Sequence, residues 1–488
     1  MEDAIRRPSA LSRPRTIALI VLGIVAVWSF NPLGPLSTAL LAVAILLIVG
    51  FKQPIWAMAA IIVSQLTATS YMVDAAVGTI SLRLLLLLIL GGVLWFSKTR
   101  IELGPGARRV VIPCVLLIGV SVVANFANTE LGVVFKDFKN LGAGLLLVVL
   151  LAGVVKNSRD LKLLCGVTFV GITVSAVVGV LQHYQFMGLG QETLLTGFVD
   201  SAGGSSRVPG IAETELELSY VLSTAIPVIL ALYFLGGTRG GMRMLIAASG
   251  ILMAASLYFT YTRSALLAVL FGVVALLLFR TRIRGEILLG GLLVILVFVS
   301  YSGILEGHYL GGRSEDIQDE SYIARKILWQ AGFAIAVDNP ILGIGGDRFR
   351  EVSPQYASDI DSGLLAWEGE NYWGYRTLGS DAVHNDFLKM WVSYGTLALV
   401  ALLWLCVAIL RNLLDCYRAS PSSFIKALAL GLAAGLVAYL ANAFYHNCLQ
   451  TLPLLWILAG FSIAIAKVAL TRRAGSELGQ DASLHNPG

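Results

Sequence analysis

The sequence predicts an all-α polytopic membrane protein: about fourteen transmembrane helices carrying a partly helical loop domain. Three observations predict it. Hydrophobic residues fill 57% of the 488 positions, charged residues only 13%, and the mean hydropathy is +0.80, outside the soluble range. Runs of about 20 nearly uncharged residues recur from end to end, each long enough to span a bilayer as a helix. The runs are continuous rather than alternating, which argues against a β-barrel.

The expected spans fall at 16–33, 35–51, 54–73, 80–97, 109–127, 138–156, 162–185, 215–236, 242–261, 263–280, 285–302, 384–411, 423–445 and 449–468. Turn chemistry separates the early ones: Asn31-Pro32 with Gly34-Pro35, Gln53-Pro54, and Gly104-Pro105-Gly106. The basic start (Arg6, Arg7, Arg13, Arg15) resembles a signal peptide. No small-residue cleavage site follows and a second span begins at once, so it reads as a retained first span. The five cysteines lie in or beside apolar runs without a CxxC pair, against a disulfide framework or a zinc or iron–sulfur site. The net charge of +5 is dispersed over loops, which gives no sign of a nucleic-acid partner.

The chain therefore divides into an N-terminal bundle of about seven spans (1–185) and a transmembrane core with a loop and an arginine hairpin (186–302). A loop domain (303–383), C-terminal transmembrane helices (384–470) and a tail (471–488) follow. Most Lys and Arg residues fall in alternate connections, beginning with the N-terminal segment. By the positive-inside rule both termini are cytoplasmic, and 186–214 and 303–383 lie outside. Topology does not ask for the basic residues left on the outer face.

Arg263, in TYTRSALL, is the only charge in two apolar runs over 244–279. A guanidinium at the membrane surface is costly, and its fixed fork suits phosphate oxygens. The competing reading is a snorkelling anchor. His384, in DAVHNDFLKMWVSYG, is expected to open a span, where an imidazole serves as a general base. Asp381 would orient it if the helix extends back that far; the alternative is a helix-start residue capping backbone amides. His446 in FYHNCLQ is a rival with a weaker surround.

The stretch from Asn339 through Gly343, Gly345 and Gly346 to Arg348 permits close backbone approach, but it lacks the Walker signature. A turn closing an external helix is the plainer reading. Arg207 precedes a Pro-Gly turn, and Glu213, Glu215 and Glu217 head the next span, with Glu213 and Glu217 on one helical face. First-turn carboxylates favour the helix dipole; the alternative is an acid–base or acceptor-sugar group. Trp367, Tyr372, Trp373 and Tyr375 suit either an interfacial belt or stacking on sugars.

Together these pieces resemble the bacterial O-antigen ligase and polymerase superfamily of integral-membrane glycosyltransferases, over about 200–405. The resemblance rests on Arg207-Val-Pro-Gly210, on Thr262-Arg263-Ser264, on Arg325 and Trp329 four apart, on Pro340, Gly343 and Gly345, and on His384-Asn385 with Phe387, Leu388 and Gly395. It implies a GT-C-like fold and a glycan donor on undecaprenyl diphosphate. It further implies a glycan or lipid A–core acceptor, the lipid bilayer as partner, polysaccharide-assembly proteins as possible associates, and neither cofactor nor metal. Arg207 and Arg263 would clamp the diphosphate, with Arg325 or Arg348 as a third contact. His384 would take the acceptor proton, with Asp381, Asn385, Glu213 and Glu217 around the substrate, and the anomeric carbon would invert. Where relatives carry an Asn-Pro-Asn-like stretch, this chain has the acidic run from Glu213. A polytopic transporter or flippase is the competing class, but the charges sit at the outer rim and no repeat is visible.

Overall fold

The computed structural model describes residues 49–67, 72–75, 78–98, 101–185, 207–280, 315–371, 377–380 and 383–484. The expected spans 16–33, 285–302 and nearly all of 35–51 lie outside the described residues, as do Asp381, Tyr372, Trp373 and Tyr375.

Helices α1 (Pro54–Thr67) and α2 (Leu82–Phe96) flank a two-stranded antiparallel hairpin, β1 (Met72–Ala75) and β2 (Gly78–Ser81), with Met72 opposite Ser81. This small hairpin interrupts a set of described elements that is otherwise helical throughout. The short link satisfies its backbone by pairing with itself, with Asp74 opposite Thr79 and Ala75 opposite Gly78. Six long helices follow: α3 (Ala107–Asn128), α4 (Leu131–Val154), α5 (Ser158–His183), α6 (Glu215–Leu235), α7 (Gly240–Phe259) and α8 (Arg263–Phe279). The loop domain contributes α9 (Glu315–Asp338), α10 (Phe349–Val352) and α11 (Ser362–Asn371). The chain ends with α12 (Asp386–Tyr394), α13 (Thr396–Ala419), α14 (Ser423–Tyr445), α15 (Cys448–Thr451) and α16 (Leu454–Leu484).

Among the described residues seven helices, α3 to α7 with α13 and α14, are long and apolar enough to cross a membrane. Four more, α1, α2, α8 and α16, carry shorter apolar stretches. Each expected span on described residues coincides with one of these helices, so the chain is a polytopic helical membrane protein. Three boundaries move. Helix α4 begins at Leu131 rather than 138, which brings Lys136 and Asp137 into its second turn. The expected span 384–411 is two helices, because Gly395 at φ 82° breaks the path between α12 and α13. Helix α16 continues through Leu484, into the expected tail.

Small residues set the packing that positions the functional end. Gly431 and Gly435, four apart on α14, face α6. A Cβ there would meet Val228 Cα and the Thr224 carbonyl oxygen, each at 2.7 Å. Gly272 of α8 likewise lies against Pro227 of α6 and Ala438 of α14. Close backbone approach through small residues is how helices associate in lipid, where apolar burial alone offers little. Asn442 on α14 also donates to the Ser223 hydroxyl of α6 at 2.8 Å. The three helices thus hold the head of α8, the first turns of α6 and the last turn of α14 at one end of the bundle.

The opposite end is tied by different residues. Arg109 pairs with Asp415 at 2.8 Å, Asn412 donates to the Gly106 carbonyl, and Lys467 donates to the Glu102 carbonyl. The loop domain has its own apolar core of Leu328, Ile335, Ile344, Phe349, Val383 and Val392. It is therefore a folded cap, and part of that core comes from the segment leading into and through α12.

Candidate functional site

His384 lies between two anchored neighbours. Val383 is buried in the core of the cap, and Asn385 is the N-cap of α12, its side-chain oxygen accepting the Leu388 N–H at 3.0 Å. The histidine is held at φ 54°, a left-handed conformation costly for a residue with a Cβ and found preferentially at functional sites. The chain is not helical at 383–385, and Asp381, expected to orient the ring, lies outside the described residues.

Arg325, on α9, supplies the nearby charge. Burial lowers the His384 pKa below its usual value, and the positive charges of Arg325 and Lys389 lower it further. The imidazole is consequently neutral near pH 7, the form in which it accepts a proton. Arg325 is itself partly desolvated, with Tyr220 of α6 and Tyr445 of α14 beside it. Trp329, one turn along α9, stacks edge-on against Phe444 at 5.4 Å between centroids. The pairing of Arg and Trp four apart therefore seats the cap on the end of α14.

His446 joins this group. Its Nε2 lies 2.7 Å from the Ser264 hydroxyl, and its ring centroid is 5.4 Å from that of Tyr220. Burial, with Arg325 and His384 adding to it, pushes His446 down to about 3. Sequence reading ranked it below His384 because FYHNCLQ carries no charged neighbour. Its surround is assembled from α8, α6 and α9 instead.

The Arg207 turn is fixed by Gln182, whose amide donates to the Gly210 carbonyl and accepts the Gly210 N–H, and by Val208 N–H to the Phe259 carbonyl. It is thereby set beside the turn that leads to Arg263. Arg207 pairs with Glu215 at 3.2 Å. Arg263 is the exposed first residue of α8. Glu213 precedes α6 rather than sharing its face with Glu217, because Thr214 is the N-cap. The Glu217 carboxylate accepts the Glu213 N–H at 3.2 Å, so it finishes the helix start.

Arg348 is engaged elsewhere. It donates to the Asn128 carbonyl at 3.1 Å and lies 3.7 Å from Glu351, so of the two arginines proposed as a third contact it is Arg325 that faces His384. The glycine turn preceding Arg348 docks onto the end of α12. Ile344 and Gly345 donate to the Val392 and Ser393 carbonyls at 2.9 Å, and Thr396 N–H donates to the Pro340 carbonyl at 2.8 Å. A Cβ at Gly343, where φ is 62°, would lie 2.6 Å from Ser393 C. The turn is thus a backbone latch on the His384-bearing helix. Beneath it lies a buried network that sequence reading missed. The Asp137 carboxylate accepts from Tyr394 at 2.6 Å and Asn125 at 2.8 Å, while Asn125 accepts the Gly346 N–H at 2.7 Å. In the sequence Asp137 reads as one charge of a Lys-Asp-Phe-Lys cluster at the start of the expected span, with nothing to mark it as buried.

Beside Asn385 opens an apolar cleft of about 280 Å³, lined by Trp329, Phe333, Phe387, Trp391 and Leu399. The buried Trp329 indole N–H has no hydrogen-bond partner among the described residues. Among those residues no three His, Cys, Asp or Glu side chains are grouped as metal ligands.

In comparison with family models, residues 248–403, about a third of the chain, match the model described as O-antigen ligase. Comparison with curated proteins gives no match. The matched segment runs from the second half of α7 to the first turns of α13, so it holds Arg263, Arg325, the glycine latch and His384. Arg207 precedes it and His446 follows it. The arginine at the hairpin tip and the histidine after the cap thus both fall within the matched segment, while α6 and α14 lie outside it.

Proposed function

We propose that this protein of the O-antigen ligase and polymerase type transfers a glycan from undecaprenyl diphosphate to an acceptor sugar hydroxyl at the periplasmic face of the inner membrane. The observation that carries the proposal is a neutral, half-buried His384 beside the Arg325 guanidinium at the end of the bundle where Arg263 and Arg207 also lie. His384 accepts the proton of the acceptor hydroxyl as its oxygen attacks the anomeric carbon. The bond from that carbon to the diphosphate oxygen breaks on the opposite side, so the carbon inverts. Arg325, with Arg263 and Arg207, meets the negative charge that grows on the departing diphosphate, where a fixed cation is worth most.

The side assignment is supported by the Lys and Arg distribution, which gathers at the end bearing Arg109, Arg418 and Lys467. The isoprenoid tail stays in the bilayer, with the apolar cleft beside Asn385 as its nearest lining. The acceptor is a growing polysaccharide or lipid A–core, and a deletion strain separates the two. Loss of all polymer marks a polymerase; lipid-linked long polymer above bare lipid A–core marks a ligase.

The test is transfer by the purified full chain in detergent, with lipid-linked glycan and acceptor. Product without a membrane barrier supports an enzyme and excludes a pure transporter. Absence of product with every candidate acceptor overturns the proposal.

A further inference from the structure

We infer that His446 is a positioning residue that ties the helix tip carrying Arg263 to the half of the site carrying Arg325 and His384. This deepens the transfer reading and rests on it. Ser264 is the second residue of α8, directly after Arg263, and its hydroxyl lies 2.7 Å from His446 Nε2. The tautomer decides which of the two donates. His446 is 5% exposed and closes α14. Three residues on, Leu449 N–H donates to the Asp386 carboxylate at 2.8 Å, and Asp386 is the first residue of the helix that His384 precedes. A connected path therefore runs from Arg263 through Ser264, His446 and Leu449 to Asp386 and His384.

The chemistry suits a strut rather than a second base. Nε2 is already engaged, and the ring is closed in by Tyr220, with Arg325 and His384 as the charged or titratable neighbours that act on it. An imidazole that stays neutral so close to Arg325 keeps a short polar contact without adding a cation to the site. A sub-ångström shift of Arg263 alters its alignment with a diphosphate, so the cost of cutting the strut falls on catalysis before it falls on folding.

The experiment uses the purified full chain carrying His446→Ala, Ser264→Ala, the double variant and His446→Gln. Transfer is measured as kcat and KM for the lipid-linked donor, and hydrogen exchange is followed over residues 260–266. The strut predicts a tenfold or larger fall in kcat/KM for each alanine variant, and a double variant no worse than the worse single. It predicts recovery to within threefold of wild type in His446→Gln, whose amide places a polar atom near Nε2. Exchange at 260–266 should rise in both alanine variants and not in His446→Gln. Losses that multiply in the double variant, or wild-type exchange in His446→Ala, overturn the inference. His384→Ala run in parallel keeps the two claims apart: full transfer in that variant removes the base, whereas the exchange data still decide the strut.

Discussion

Replacing Gly395 by alanine should unlatch the cap from the helix that carries His384. Gly395 sits at φ 82° and ψ −179°, a combination open essentially to glycine alone, and holding alanine there costs about 1–3 kcal/mol. The added Cβ would also run into the Ile341 carbonyl and lie 2.8 Å from Leu342 N. Relieving that clash separates the glycine turn from the end of α12 and loses three backbone hydrogen bonds, donated by Ile344, Gly345 and Thr396. At about 1 kcal/mol each, the three bonds are worth on the order of 3 kcal/mol, concentrated on one latch. Native-state hydrogen exchange at the Ile344 and Gly345 amides reads this directly, and protection there should fall on the order of a hundredfold. Transfer activity should fall with it, because Val383 and Val392 share the core of the cap. Gly379→Ala is the control, since a Cβ at Gly379 meets nothing within 4 Å. Wild-type protection of Ile344 in Gly395→Ala would refute the latch.

Three further outcomes follow from the same geometry. Arg325→Gln should raise the His384 pKa toward the usual histidine value, because a cation that lowers it is removed, and should cut transfer on the order of 100-fold. The pH–rate profile checks both: its acid limb moves to higher pH. Arg348→Gln, which loses a contact to the Asn128 carbonyl rather than to the site, should keep transfer within tenfold of wild type in the same assay. Acid should destabilise the protein through His446. The unfolded residue takes up a proton below about 6.5, the folded one only near 3, so stability is present above that window and is lost as pH falls through it. Thermal unfolding at pH 7 and pH 5 should show about 2 kcal/mol of loss that His446→Gln lacks.

The spans were legible because each is written in contiguous residues. Hydropathy found every long helix from α3 to α7, and α13 and α14 besides. Gly395 shows where this stops: the apolar run continues through it, and only its left-handed backbone splits the expected span into α12 and α13. The site was legible where a motif is local, as with the arginine at the tip of α8 and the histidine before α12. What sequence hides is which distant side chain completes a surround. Ser264 meets His446 across 182 positions, and Tyr394 meets Asp137 across 257. Arg325 and Arg348 read alike in the sequence, and only the packing of α9 against α12 and the end of α14 sends the first toward His384. The glycines at 343 and 345 read more plainly as a turn closing an external helix than as a ligand cradle, and they form a turn that pairs with the chain's own backbone at the end of α12.

The central claim is that His384 acts as a neutral base toward the acceptor hydroxyl. The most direct measurement is the pH dependence of kcat/KM for transfer by the purified protein, alongside His384→Ala and His384→Gln. Activity should be flat near pH 7 and fall on acidification through a pKa below 6.5, because burial and Arg325 depress that of His384. Both variants should lose at least a hundredfold at pH 7 while still folding, with no acid limb in whatever activity remains. Near-normal transfer by His384→Ala, or an unchanged acid limb in that variant, would contradict it.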